Sequence, residues 1–245
     1  MKIVIKIVLL VGVIGYLIFG ICSLSRDEEK RICSGVEILI NDSIYPNFVD
    51  VQFIEELLTL TQKPVKDIPL KQIDIKYIEH FIQTNPYIDS AICYYTPENL
   101  MCISVFPHKP ILHVVSDSGE NYYMDKNGNE MPSDRFHLDL CLATGKINKE
   151  YARKHLTEMA SYINTHTPWN TEIQQLHVKT PKHIEMIPFT GEHVIVLGEP
   201  TNIEQKMNKL SIFYKEGLNK AGWNKYSIIN LNYDNQIVCT KRNKK

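Results

Sequence analysis

Residues 3–24 read IVIKIVLLVGVIGYLIFGICSL, with Lys6 as the single charged side chain. A helix of that length rises about 33 Å, enough to cross the hydrocarbon core of a bilayer. Lys6 lies one turn in, and its stem can snorkel back to the headgroups. A cleaved signal peptide fits less well, since the run is long for one and no small-x-small cleavage site follows it. Lipid attachment at Cys22 would want a small residue before it, where Ile21 stands. Flanking charge orients the run only weakly: Lys2 and Lys6 on one side face Arg26, Lys30 and Arg31 on the other. Long domains translocate largely regardless of such charges. The expected topology is therefore a cytoplasmic stub at 1–2, one transmembrane helix at 3–24 and an exported remainder.

Composition narrows what that remainder can be. Lys and Arg number 27 against 28 Asp and Glu, a net charge of -1. Binding nucleic acid by bulk electrostatics needs a basic excess, so that class is set aside. Hydrophobic residues at 44% are too many for a disordered chain. Six cysteines are too dilute for a disulfide scaffold.

Periodicity divides the exported part into two α+β units with no repeat or long linker. In the first, from about Ser34, Val36–Ile40 reads as a strand. Asp50 caps a helix with Val51, Ile54, Leu57 and Leu58 as its stripe. Asp74 caps a second helix facing inward through Ile75, Ile78 and Ile82, which Asn85-Pro86 ends. Ser90–Tyr95 and Met101–Phe106 form a hairpin around Thr96-Pro97-Glu98-Asn99. The order β-α-α-β-β packs two helices on one face of a three-stranded sheet.

The second unit begins near His108. Ile111–Val115 and Asn121–Met124 pair across Ser116–Glu120, and Asn127-Gly128 marks a further hairpin. Asn148 caps a helix running to Asn164. Thr171–Lys179, His183–Phe189 and His193–Leu197 read as successive strands, and a long helix through Ile203, Met207, Leu210 and Leu218 follows. Tyr226–Tyr233 and Gln236–Thr240 form the last β element, before a basic tail at 242–245.

A search for chemistry returns little. GxSxG, HExxH, GxxxxGK[ST] and GxGxxG are all absent from the sequence. Asp117-Ser118-Gly119 sits in a hairpin turn, without the strand-to-helix elbow a nucleophile needs. Asp125-x-Asn127-x-Asn129 begins like a calcium loop, but Glu130 occupies the position where that loop requires glycine. No CxxC or HxxxH pair supports a metal site. Cys93 and Cys102 lie on adjacent expected strands, either bridged or as two buried thiols. The motif search thus gives no support to an enzyme, a cofactor, a metal or a small-molecule substrate.

The C-terminal ribbon is more informative. Ile229, Leu231 and Tyr233 alternate with Asn230, Asn232 and Asp234, the pattern of a half-buried strand. A terminal strand often lies at a sheet edge, where it either accepts a foreign strand or is blunted by charge, here by Lys241 and Arg242. Both readings stay open on pattern alone.

These residues resemble the bacterial cell-division family FtsQ, called DivIB in some bacteria, and its Bacteroidetes members in particular. The resemblance runs through Ile78-Glu79 to Asn85-Pro86-Tyr87-Ile88, then Ile103-Ser104-Val105 to Pro110-Ile111. It continues through Asn121-Tyr122-Tyr123-Met124-Asp125, Gly128 and Met131-Pro132. Leu197-Gly198, Lys206, Leu210 and Phe213-Tyr214 follow, and it ends on INLNYDNQIVC at 229–239. One departure stands at the junction, where Pro107 and His108 replace the family's glutamine-arginine.

The resemblance implies a POTRA domain at 34–107 and an FtsQ-type β domain at 108–241 that ends on an edge strand. It implies a single-pass inner-membrane protein with its C-terminal domain in the periplasm at the division site. There it would act as a non-enzymatic scaffold linking early and late divisome components. An FtsB/FtsL-type partner would add a strand along Tyr233, Asn235, Gln236, Ile237, Val238 and Cys239. Tyr226, Ile229, Leu231 and Lys206 would support that edge. Backbone pairing would give affinity and alternate side chains specificity. The competing readings are another POTRA-bearing envelope protein with a chaperone or translocation role, and a membrane-anchored hydrolase.

Overall fold

The computed structural model describes residues 10, 12–19, 31–41, 45, 48–234 and 236–243. The chain divides into two compact units, Met1–Pro107 and His108–Lys245. Residues 12–19 are helical and leave Val13, Ile14, Tyr16, Leu17, Ile18 and Phe19 all exposed. Among the described residues no helix is long and apolar enough to cross a membrane. Most of the anchor expected at 3–24 lies outside the described residues.

The first unit is built as β1 (Gly35–Ile40), α1 (Val51–Leu60), α2 (Ile75–Gln83), β2 (Ile88–Tyr95) and β3 (Leu100–Pro107). Its sheet has the order β1-β3-β2, with β1 parallel and β2 antiparallel to the central strand. Both helices start where a carboxylate satisfies an orphan backbone donor. Asp50 accepts from the Phe53 N–H at 2.8 Å, and Asp74 from that of Tyr77 at 3.0 Å. The face of α1 is rotated from the expected stripe: Phe53, Ile54 and Leu57 are buried while Val51 is exposed. Phe53 turns inward because its ring meets Tyr87 edge-on, with centroids 5.9 Å apart.

Helix α2 also closes the β2 edge. The Glu79 carboxylate accepts from the Cys93 N–H at 2.8 Å, and the Gln83 amide donates to the Ala91 carbonyl at 2.9 Å. Cys93 stands opposite Ile103, and Cys102 opposite Tyr94. Adjacent cross-strand pairs point to opposite faces of a sheet, so the two thiols cannot meet. Both are free, which removes the bridge as an option.

The second unit contains β4 (Pro110–Ser116), β5 (Asn121–Asp125), β6 (Glu130–Pro132) and β7 (Leu142–Gly145). A long helix follows: α3 (Lys149–Tyr151), a π-helical stretch (Ala152–Leu156) and α4 (Thr157–Thr165). Then come α5 (Trp169–Glu172), β8 (Ile173–Thr180), β9 (His183–Pro188) and β10 (Val194–Gly198). The second long helix runs as α6 (Ile203–Ile212), a π-helical stretch (Phe213–Leu218) and α7 (Asn219–Ala221), before β11 (Tyr226–Asn230) and β12 (Val238–Lys241). All the strands join one nine-stranded sheet, β12-β11-β10-β9-β8-β7-β4-β5-β6. The long helices cover one face, where Leu156, Met159, Met207 and Leu210 pack with Leu176, Ile195 and Ile229. The opposite face carries half-buried polar groups, among them Thr144, whose hydroxyl bonds the His177 ring at 2.9 Å.

Three elements depart from the sequence reading. Strand β7 was not expected; it lies parallel to both β4 and β8 in mid-sheet. Its last residue, Gly145, has φ +102°, and a Cβ there would collide with the Val178 carbonyl, so the two strands close up only around glycine. Helix α5 occupies the residues where β8 was expected to begin, with Trp169 buried. Strand β11 stops at Asn230 instead of running to Tyr233. There the Asn230 side chain accepts from the Asn232 N–H at 2.9 Å and turns the chain out of the sheet.

Candidate partner-binding edge

Among the described residues strand β12 ends the sheet and pairs on one side only, with β11. The direction of its backbone groups follows from β11. The Leu231 N–H donates to the Val196 carbonyl at 2.8 Å, so Leu231, and with it Ile229, directs its polar groups toward β10. Ile228 and Asn230 must then face β12, where they pair with Thr240 and Val238. That leaves the N–H and C=O of Cys239 and Lys241 directed away from the sheet. The far edge offers much less: β6 has three residues, ends on Pro132, and its Glu130 is engaged by Lys149 at 2.5 Å.

The side chains along this edge divide into anchors and contacts. Ile237 and Cys239 are half-buried and pack against the core, and burial raises the pKa of the Cys239 thiol. Tyr233, Gln236 and Val238 are exposed, Tyr233 by 47% and Val238 by 42%. Asn235 lies outside the described residues. Of the supporting set, Ile229 and Leu231 are fully buried, and Tyr226 packs at the core rim, 6.1 Å from the Phe213 ring.

Lys206 makes its hydrogen bond away from β12, with the Asp234 carboxylate near enough to favour its charge. Its ammonium donates to the Glu199 carbonyl at 2.7 Å and ties α6 to the loop after β10. Burial, helped by neighbouring Lys209, lowers its pKa. The residue that holds the turn is Lys209, whose ammonium donates to the carbonyls of Tyr233 at 2.6 Å and Asp234 at 3.1 Å. It was missed because a lysine one turn further along the same helix gives no signal of its own. Gly198, at φ +78°, lets Asn232 pack against the end of β10 from the other side; a Cβ there would strike the Asn232 amide.

The other end of β12 is pinned as well. The Arg242 N–H donates to the Lys225 carbonyl at 3.0 Å, and its guanidinium meets the Glu192 carboxylate at 2.8 Å and carbonyl at 2.6 Å. Next to Glu192, His193 is buried and bonds the Tyr214 hydroxyl at 2.8 Å. Burial, then the Arg242 charge, lowers the His193 pKa. Both ends of the strand are thus fixed, and among the described residues no strand pairs along its outer side.

At the start of this unit, His108 meets the buried Asp125 carboxylate at 3.0 Å. That carboxylate also accepts from the Asn127 N–H, the Asn129 N–H and the Asn129 amide at 2.8–2.9 Å. Burial alone would raise its pKa; the hydrogen bonds from His108 and Asn129, then Asn127, outweigh burial and hold it at about 2. This turn, which begins like a calcium loop, spends its carboxylate on its own donors. Among the described residues no group of three or more His, Cys, Asp or Glu side chains could hold a metal ion.

Comparison with known families decides the relationship. The family described as FtsQ/DivIB, C-terminal related, matches residues 109–240, more than half of the chain. The chain belongs to the FtsQ/DivIB family. A POTRA-like domain matches residues 31–106, the β-α-α-β-β unit. No curated protein matches the sequence. FtsQ/DivIB membership makes this a cell-division protein, of a family that is generally non-catalytic. The edge strand β12 falls almost wholly inside the FtsQ/DivIB match.

Proposed function

We propose that this protein is a membrane-anchored scaffold of the divisome that captures an FtsB/FtsL-type partner by strand addition to β12. The observation that carries the reading is the pair of outward-facing backbone groups at Cys239 and Lys241, on a strand fixed at both ends. Preorganisation of that kind lowers the entropy lost when a strand docks. Exposed Val238 at the start of the paired segment and Tyr233 before it supply apolar contact, with Tyr233 adding a large area at low entropy cost. The exposed apolar helix at 12–19 supports the anchor, since such a surface is stable in lipid and costly in water. On this reading the POTRA-like and β domains work in the periplasm and join early to late division proteins at the septum.

Cys239→Pro tests the proposal by deleting one outward donor, with Cys239→Val as the control that keeps it. Both variants are titrated as full chains with the host's FtsB/FtsL-type pair. Binding should weaken at least about tenfold in the proline variant and remain near normal in the valine variant. Circular dichroism shows whether both stay folded. Undiminished binding by a folded proline variant overturns the strand-addition reading.

A further inference from the structure

Asn224, Lys225, Lys241, Arg242 and Asn243 line a cavity of about 270 Å³ where the chain enters β11 and leaves β12. The lining holds three cations and two amides and no carboxylate. Four lysines elsewhere in this unit stand with acids: Lys149 with Glu130, Lys179 with Glu185, Lys182 with Glu199, Lys220 with Glu216. Among the described residues, Lys225 and Lys241 have no such partner. Lys225 lies only over the Tyr226 ring, 5.6 Å from its centroid. Arg242 gives its terminal nitrogens to Glu192, yet its Nε is buried with no acceptor.

Three cations on one lining, with only Glu192 set against them, leave the cavity wall with a net positive charge. A ligand bringing negatively charged oxygens would balance that charge. The chain as a whole does not attract anions, its net charge being -1, so the preference is local. Position gives the source of the ligand. Lys241 belongs both to the open edge and to the cavity wall, so a strand laid along β12 runs past the cavity mouth. We infer that this cavity receives an Asp or Glu side chain of the segment that pairs with β12, at the end of the added strand. The inference rests on the strand-addition reading and deepens it: the donors of β12 give affinity, and the cavity sets which segment binds and in what register.

A zero-length carbodiimide reagent joins an amine to a carboxylate only where the two are in contact, so it is applied to the full chain mixed with its partner pair. Mass spectrometry should find Lys225 or Lys241 linked to a partner Asp or Glu. Lys225→Glu and Lys241→Glu should each weaken binding about tenfold at low salt and less at high salt. Reversing the charge of the linked partner residue should restore most of that loss. A complex that forms with no link from either lysine, and that both reversals leave at full affinity, overturns the carboxylate site. A loss that no partner reversal restores overturns it too. Failure of the underlying reading looks different: Cys239→Pro then binds normally whatever the lysines do.

Discussion

Replacing Asp125 with asparagine removes the charge from the turn that ties His108 to the start of β6 and leaves the shape nearly unchanged. The carboxyl has a pKa of about 2 against an ordinary 3.8. A difference of that size stabilises the folded, ionised form by about 2 kcal/mol. Because the folded value lies below the unfolded one, this stability is fully present above about pH 4 and is lost as pH falls toward about 2. Asp125→Asn should therefore unfold about 2 kcal/mol more easily at pH 7, and the gap should narrow between pH 5 and pH 3. Urea denaturation followed by tryptophan fluorescence is the suitable assay, since Trp169 and Trp223, the two tryptophans of the chain, both lie in the His108–Lys245 unit. Equal stability at pH 7, or a gap unchanged at pH 3, would refute the account of Asp125 as a charge held by its neighbours.

Two further substitutions test how the edge is held. Lys209→Met should cost about 1 kcal/mol or less of overall stability, because its two hydrogen bonds are exposed. It should nevertheless speed amide exchange across the turn after β11 and weaken partner binding several-fold. Unchanged exchange there would argue against Lys209 as the brace. Gly198→Ala should lower stability by about 2 kcal/mol through its left-handed backbone and its collision with Asn232. Adding Asn232→Ala should recover the collision part and not the backbone part, and strict additivity of the two changes would exclude direct contact.

Much of the architecture was readable from residue types acting locally. Asp50, Asp74 and Asn148 each accept from the backbone N–H three residues on, as short polar caps do. Asn127-Gly128 marks a real reversal between β5 and β6. What escaped depends on partners distant in the chain. Leu142–Gly145 has an alanine and a glycine in four positions, and only β4 and β8 on either side make it a strand. The alternation from Ile229 to Tyr233 suggested one long strand, but the Asn230 side chain competes for the backbone and ends it. Lys206 and Lys209 share one helix face, and sequence cannot say which carbonyl each ammonium will find. The edge position of β12 was expected, whereas its outward groups became assignable only through the bond from Leu231 to Val196.

The two flanks of the nine-stranded sheet are unequal, and that inequality limits assembly. With β6 cut to three residues and ending on Pro132, the described sheet offers its more extensible flank on the β12 side. A second copy of the chain and a foreign segment would have to compete for the same few amides. On the strand-addition reading, occupancy on that flank is exclusive, and self-pairing through β12 would block capture of a partner.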